Sequence, residues 1–134
     1  MGEDIIRQFL KQVKALLEAD AWYVEHGVPL LIENTGDILY IVESALAEAG
    51  LALILKVPRA EAETPAFRVS LELLALENPT LNRARANLAT ALDIVWHAAL
   101  ALRGDQFSVQ RIEHTETEFG FQARAVLEAF ITIN

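Results

Sequence analysis

The chain has 134 residues, 53% of them hydrophobic, with 11 Lys and Arg against 19 Asp and Glu, a formal net charge of −8 and an isoelectric point near 4.8. This length suits one domain with a single core. The acidic balance excludes a nucleic-acid module whose affinity comes from neutralising phosphates, and the lack of cysteine excludes disulfide and thiolate chemistry.

Mean hydropathy is +0.27, high for a small monomer, which implies apolar surface covered by a partner or by further copies of the chain. No apolar run reaches the ~20 residues that cross a bilayer, so no membrane partner is expected. Met-Gly-Glu-Asp is acidic where a signal peptide is basic, and Ile6 stands where an acylation signal carries Ser or Thr. Neither secretion nor N-terminal acylation is expected.

Residues 3–19 predict an amphipathic helix, with Ile5, Ile6, Phe9, Leu10, Val13, Leu16 and Leu17 on its stripe. Residues 20–34 hold Gly27 and Pro29 and read as an irregular apolar segment docked through Trp22, Tyr23, Leu30, Leu31 and Ile32. A second helix is expected over 36–49, capped by Asn34 or Thr35 and stopped by Gly50 as a left-handed residue. Residues 51–57 predict a strand that Pro58 ends, followed by a polar connector. Residues 67–76 alternate as a strand, with Phe67, Val69, Leu71 and Leu73 on one face. Asn78-Pro79 marks a turn. A helix over about 84–103 follows, with Leu88, Ala91, Leu92, Val95, Trp96, Ala99 and Leu102 buried, and Asn82 or Asn87 as its cap. Residues 107–113 and 119–133 predict two strands joined by an acidic loop.

Strands joined by short connectors favour antiparallel hairpins. The expected fold is a single α+β domain over residues 1–134: a two-layer sandwich with a four-stranded, mainly antiparallel sheet and helices on one face, in the order α-α-β-β-α-β-β.

The chemistry of catalysis is missing from the pattern. His26, His97 and His114 have no second ligand at metal spacing. No nucleophile elbow occurs, and the six glycines form no phosphate-cradling loop. No enzyme activity, metal or cofactor is expected. Two features remain. Glu61, Glu63, Glu113, Glu116 and Glu118 form acidic clusters in the two hairpin connectors, as solvated turns or as a negative collar. Asn78, Asn82, Arg83 and Arg85 form a polar knot suited to a subunit contact, where arginine is favoured.

The stretch Glu77-Asn78-Pro79-Thr80-Leu81-Asn82-Arg83, running from a strand to an apolar helix, resembles tail terminator and tail-completion proteins of long-tailed phages and prophages. Thr35-Gly36-Asp37-Ile38 and the segment from Ala49 to Pro58 extend the resemblance over about residues 35–134. It implies a virion protein that forms a ring, commonly a hexamer, on the tail tube. The ring stops polymerisation and meets the head connector or neck protein. The acidic surface would then let DNA pass. No catalytic residues come with the family. The alternative is a small cytoplasmic α+β domain that binds a ligand or an adaptor protein, with a deep pocket ringed by Trp22, Tyr23 and Trp96.

Overall fold

The computed structural model describes residues 5–33, 43–44, 46–47, 50–63, 66–77, 90–103, 107–117 and 120–132. The chain opens with helices α1 (Ile5–Glu18) and α2 (Ala21–His26) and a short strand β1 (Leu30–Ile32). Strands β2 (Leu51–Glu63) and β3 (Ala66–Glu77) follow, then helix α3 (Ala91–Leu102), then strands β4 (Phe107–Thr117) and β5 (Gly120–Thr132). The sheet has five strands in the order β1-β2-β3-β5-β4. β1 pairs parallel with β2, and every other pairing is antiparallel. The α+β class therefore holds, but the sheet is mixed and five-stranded rather than four-stranded. The extra strand comes from the segment read as irregular. Three residues are too few for alternation to show, yet Leu30, Leu31 and Ile32 pair in register with Leu53, Ile54 and Leu55.

The same segment contains α2. Asp20 caps it, its carboxylate accepting from the Trp22 N–H at 3.1 Å. Gly27 closes it at φ 60, donating its N–H to the Tyr23 carbonyl. The expected 36–49 helix lies largely outside the described residues, but Glu43, Ser44, Leu46 and Ala47 are helical. Gly50 adopts φ 75 and donates to the Leu46 carbonyl at 2.8 Å, the left-handed stop its identity suggests.

The core lies between the helices and one face of the sheet. Phe9, Leu10, Val13 and Leu17 of α1 and Ile94, Val95, Ala98 and Leu102 of α3 are buried there. They meet Leu51, Leu53 and Leu55 of β2, Val69, Leu71 and Leu73 of β3, and Ala123, Ala125, Leu127 and Ala129 of β5. Each large side chain buried there is worth about 1.5–3 kcal/mol in removed apolar surface. The alanines of β5 let α3 sit close over the middle of the sheet. On α1, the expected stripe holds except at Leu16, which is exposed. The predicted stripe of α3 is rotated. Leu92 and Trp96 are exposed, whereas Ile94 and Ala98, left out of the stripe, are buried. A helix apolar on nearly every side gives periodicity little contrast to work on.

Pro58 does not end β2. The register shifts between Lys56 and Arg59, so Val57 and Pro58 together oppose Leu71 as a bulge. A bulge leaves a position outside the ladder, where proline's missing N–H costs nothing. β4 carries a similar bulge, with Gln110 the extra residue between Val109 and Arg111. The expected connector after Pro58 is therefore strand as far as Glu63.

Helix α3 runs from Ala91 with Thr90, in extended backbone, as its N-cap; residues 84–89, where the helix was expected to begin, and the cap candidates Asn82 and Asn87 lie outside the described residues. Thr90 and Asp93 form a reciprocal capping box: the Asp93 N–H donates to the Thr90 hydroxyl at 3.1 Å, and the Thr90 N–H donates to the Asp93 carboxylate at 2.9 Å. A second acid acts at this end. Glu77, the last residue of β3, is 8% exposed, and its carboxylate accepts from the Ala91 N–H at 3.0 Å. It answers one of the open donors of the first turn and faces the positive end of the helix dipole. Replacing Glu77 with Ala should strand that buried donor and cost about 1–3 kcal/mol in urea denaturation. Glu77→Gln, which keeps an acceptor oxygen, should lose less. An alanine variant as stable as the wild type would refute the capping role.

Candidate functional site

The face of the sheet turned away from α1 and α3 divides into three zones. The zone nearest Glu77 is apolar. Ala52 and Ile54 are buried there, and Leu74 and Leu76, which pair with them in register, are half-buried.

The middle zone is a line of alternating charges crossing the sheet. Glu33, just after β1, meets Lys56 of β2 at 4.0 Å, and Lys56 meets Glu72 of β3 at 3.8 Å. Glu72 meets Arg124 of β5 at 3.7 Å, and Arg124 meets Glu113 of β4 at 2.8 Å. Glu113 also meets Arg111 at 3.2 Å. Exposed pairs of this kind stabilise little one at a time. Their arrangement fixes which side chains face which across the strands.

The third zone lies beyond the two bulges. Arg59, Ser70, Glu128 and Ser108 stand in one row across β2, β3, β5 and β4. A cavity of about 230 Å³ opens here, lined by Arg59, Glu61, Arg68, Ser70, Gln110 and Glu128, with Val69 and Leu127 beneath. The bulges create this lining. Before its bulge, β2 turns its odd-numbered residues to the helices; after it, Arg59 and Glu61 are turned to the open face. Bulges that re-aim side chains are common beside functional sites. Glu61 is held by two guanidiniums: it accepts from Arg68 at 2.8 Å and from Arg59. Across the cavity, the Gln110 amide donates to the Ser108 hydroxyl at 3.3 Å.

On the helix side, α2 leans on α3 through an aromatic group. Trp22 stacks with His97 at 4.3 Å and 8°, and with His26 at 4.2 Å. The Tyr23 hydroxyl donates to the Ile94 carbonyl, and burial together with the Asp20 carboxylate pushes its pKa upward. Trp22 and Tyr23 thus pack against α3, and Trp96 is exposed.

The candidate residues from sequence separate accordingly. Asn78, Asn82, Arg83, Arg85 and Glu118 lie outside the described residues. Glu61, Glu63, Glu113 and Glu116 belong to strands rather than to connectors, because β2 and β4 run further than their apolar residues do. Glu61 and Glu113 are paired with arginines, not displayed as bare charge. Arg59, Ser70 and Glu128 carried no signal in sequence, since a bulge is needed to align them. Among the described residues, no group of three His, Cys, Asp or Glu is placed to hold a metal ion, and no helix is long and apolar enough to cross a membrane. No protein-family model and no curated protein matches the chain.

The hydrogen bonds from Arg68 and Arg59 hold the Glu61 carboxyl below its ordinary range. A lowered folded-state pKa means that Glu61 favours the fold above the unfolded glutamate pKa. That contribution is lost as pH falls through the lowered folded value. Carboxyl-detected NMR titration should show Glu61 protonating below the ordinary glutamate range. The double change Arg59→Ala with Arg68→Ala should bring the Glu61 midpoint back up; an unmoved midpoint would exclude the arginines as its cause.

Proposed function

We propose that the chain is a structural subunit of a phage or prophage virion, of the tail terminator or head–tail joining type, that works as a homo-oligomeric ring without enzymatic activity. The observation that carries the assembly reading is the outer face of α3. Leu92, Trp96 and Leu100 recur every fourth residue and are 42%, 53% and 43% exposed. A helix apolar on both its inner and outer faces is suited to burial on both. Val24 of α2 and Leu16 of α1 add exposed apolar surface to the same helical layer. A homo-oligomer would cover such surface with copies of itself. The virion assignment rests on the resemblance carried by Glu77–Arg83 and the upstream segments. A hexamer on the end of the tail tube, facing the neck protein, is the form that resemblance implies. The excess of acids suits a passage through which DNA slides without binding. Assembly would take place in the host cytoplasm.

A second reading, a small ligand-binding domain, is favoured by one observation, the bulge-framed cavity on the open face.

Native mass spectrometry of the wild-type chain should show a discrete ring. Trp96→Glu combined with Leu100→Glu should give folded monomers, since both positions face solvent in the subunit and a buried interfacial charge is costly. Wild-type chains that stay monomeric in the presence of tail tubes would refute the assembly reading. Imaging of particles lacking the protein tests the virion assignment: tails should lose their uniform length, and normal tails would refute it.

A further inference from the structure

We propose that the cavity between Arg59 and Glu128 binds a small zwitterion of the free amino-acid class, with the ligand's ammonium on Glu128 and its carboxylate on Arg59. The inference gives a ligand class to the second reading and does not depend on ring formation.

Glu128 supplies the first argument. It is half-buried on the cavity wall, and no hydrogen bond or ion pair engages its carboxylate among the described residues. A partly desolvated carboxylate is costly until a cation meets it. Its register neighbours are Ser70 and Ser108, short hydroxyl side chains that leave space above the sheet. Arg59 supplies the second. It bonds Glu61 through one terminal nitrogen, its side chain is 75% exposed, and a guanidinium carries five N–H donors. The two groups stand in one row with Ser70 between them. Two strand spacings, about 10 Å, separate their backbones, and both side chains line the same cavity.

The charge pattern selects the ligand. A lone anion on Arg59 would be repelled by Glu61 and Glu128. A lone cation on Glu128 would face Arg59 across the cavity. A molecule with both charges at close spacing meets each with its opposite. The volume of about 230 Å³ falls below the roughly 300 Å³ at which drug-sized pockets begin, so the ligand is small. The two bulges give the third argument. One brings Arg59 to the open face, the other sets Gln110 on the far wall, and both frame the same cavity.

The test is an amide NMR titration of the labelled full chain with L-alanine, acetate and methylammonium in turn. L-alanine should give saturable shifts at residues 59, 70, 110 and 128, and the two single-charge probes should give much weaker ones. Glu128→Gln, a near-isosteric change on the sheet surface, should weaken L-alanine binding by about tenfold or more while leaving the rest of the spectrum in place. The proposal is overturned by any of three results: no saturable shift with L-alanine, equal binding by the Gln variant, or acetate or methylammonium binding as well as L-alanine. The oligomeric state of the same samples reports on ring formation separately, because Glu128 lies on the face opposite α3.

Discussion

The pairing of β3 with β5 runs without a register shift from Ala66 opposite Thr132 to Glu77 opposite Phe121, and the rest of the molecule is built around it. These two strands form an unbroken antiparallel pair at the centre of the sheet. Their helix-facing residues, Val69, Leu71 and Leu73 with Ala123, Ala125, Leu127 and Ala129, are all buried. The strands β2 and β4 that flank this pair must follow it, and neither does so with an even pleat. Each takes in an extra residue and shifts phase. The straight centre and the bulged flanks together decide which charges reach the open face.

The two sides of the sheet then do different work. The helix side is sealed by burial, by Glu77 at the entry of α3, and by the stacking of Trp22 with two histidines. What it leaves exposed is the outer surface of the helices themselves. The open side spends its polarity locally. Glu61, Glu72 and Glu113 each meet a base on a neighbouring strand, so these acids are not displayed as bare negative charge. Glu128 stands apart from this arrangement because its cross-strand neighbours are serines.

Residues that alternate cleanly made their elements legible in sequence. Val69, Leu71 and Leu73 of β3 share the buried face their alternation states, and α1 buries most of its stripe. Gly50 carried enough information to locate a helix end. The failures share a physical origin: local pattern gave way to pairing. Leu30–Ile32 became a strand because β2 offered a free edge. Pro58 stayed inside a strand because a bulge removed the need for its missing donor. The stripe of α3 was misplaced because nearly all of its residues are apolar. The acids of the polar connectors were visible as residue types, but their partners Arg68 and Arg124 become neighbours only through cross-strand register. Glu77 was legible as the end of a strand and not as a cap, since its partner Ala91 lies 14 residues further on.

The bulge at Val57 and Pro58 makes β2 a strand of two opposite parities. Before it the odd-numbered residues face the helices; after it the odd-numbered Arg59 and Glu61 face away from them. Chain length at this point therefore carries information that residue identity does not. Loss of a single residue there would leave the composition nearly unchanged while turning Arg59 and Glu61 to the helix-bearing face of the sheet. A compensating insertion a few positions later would restore the far end of the strand but leave the stretch between them inverted. The number of residues between Leu55 and Arg59 therefore decides the facing of the strand more than their chemistry does.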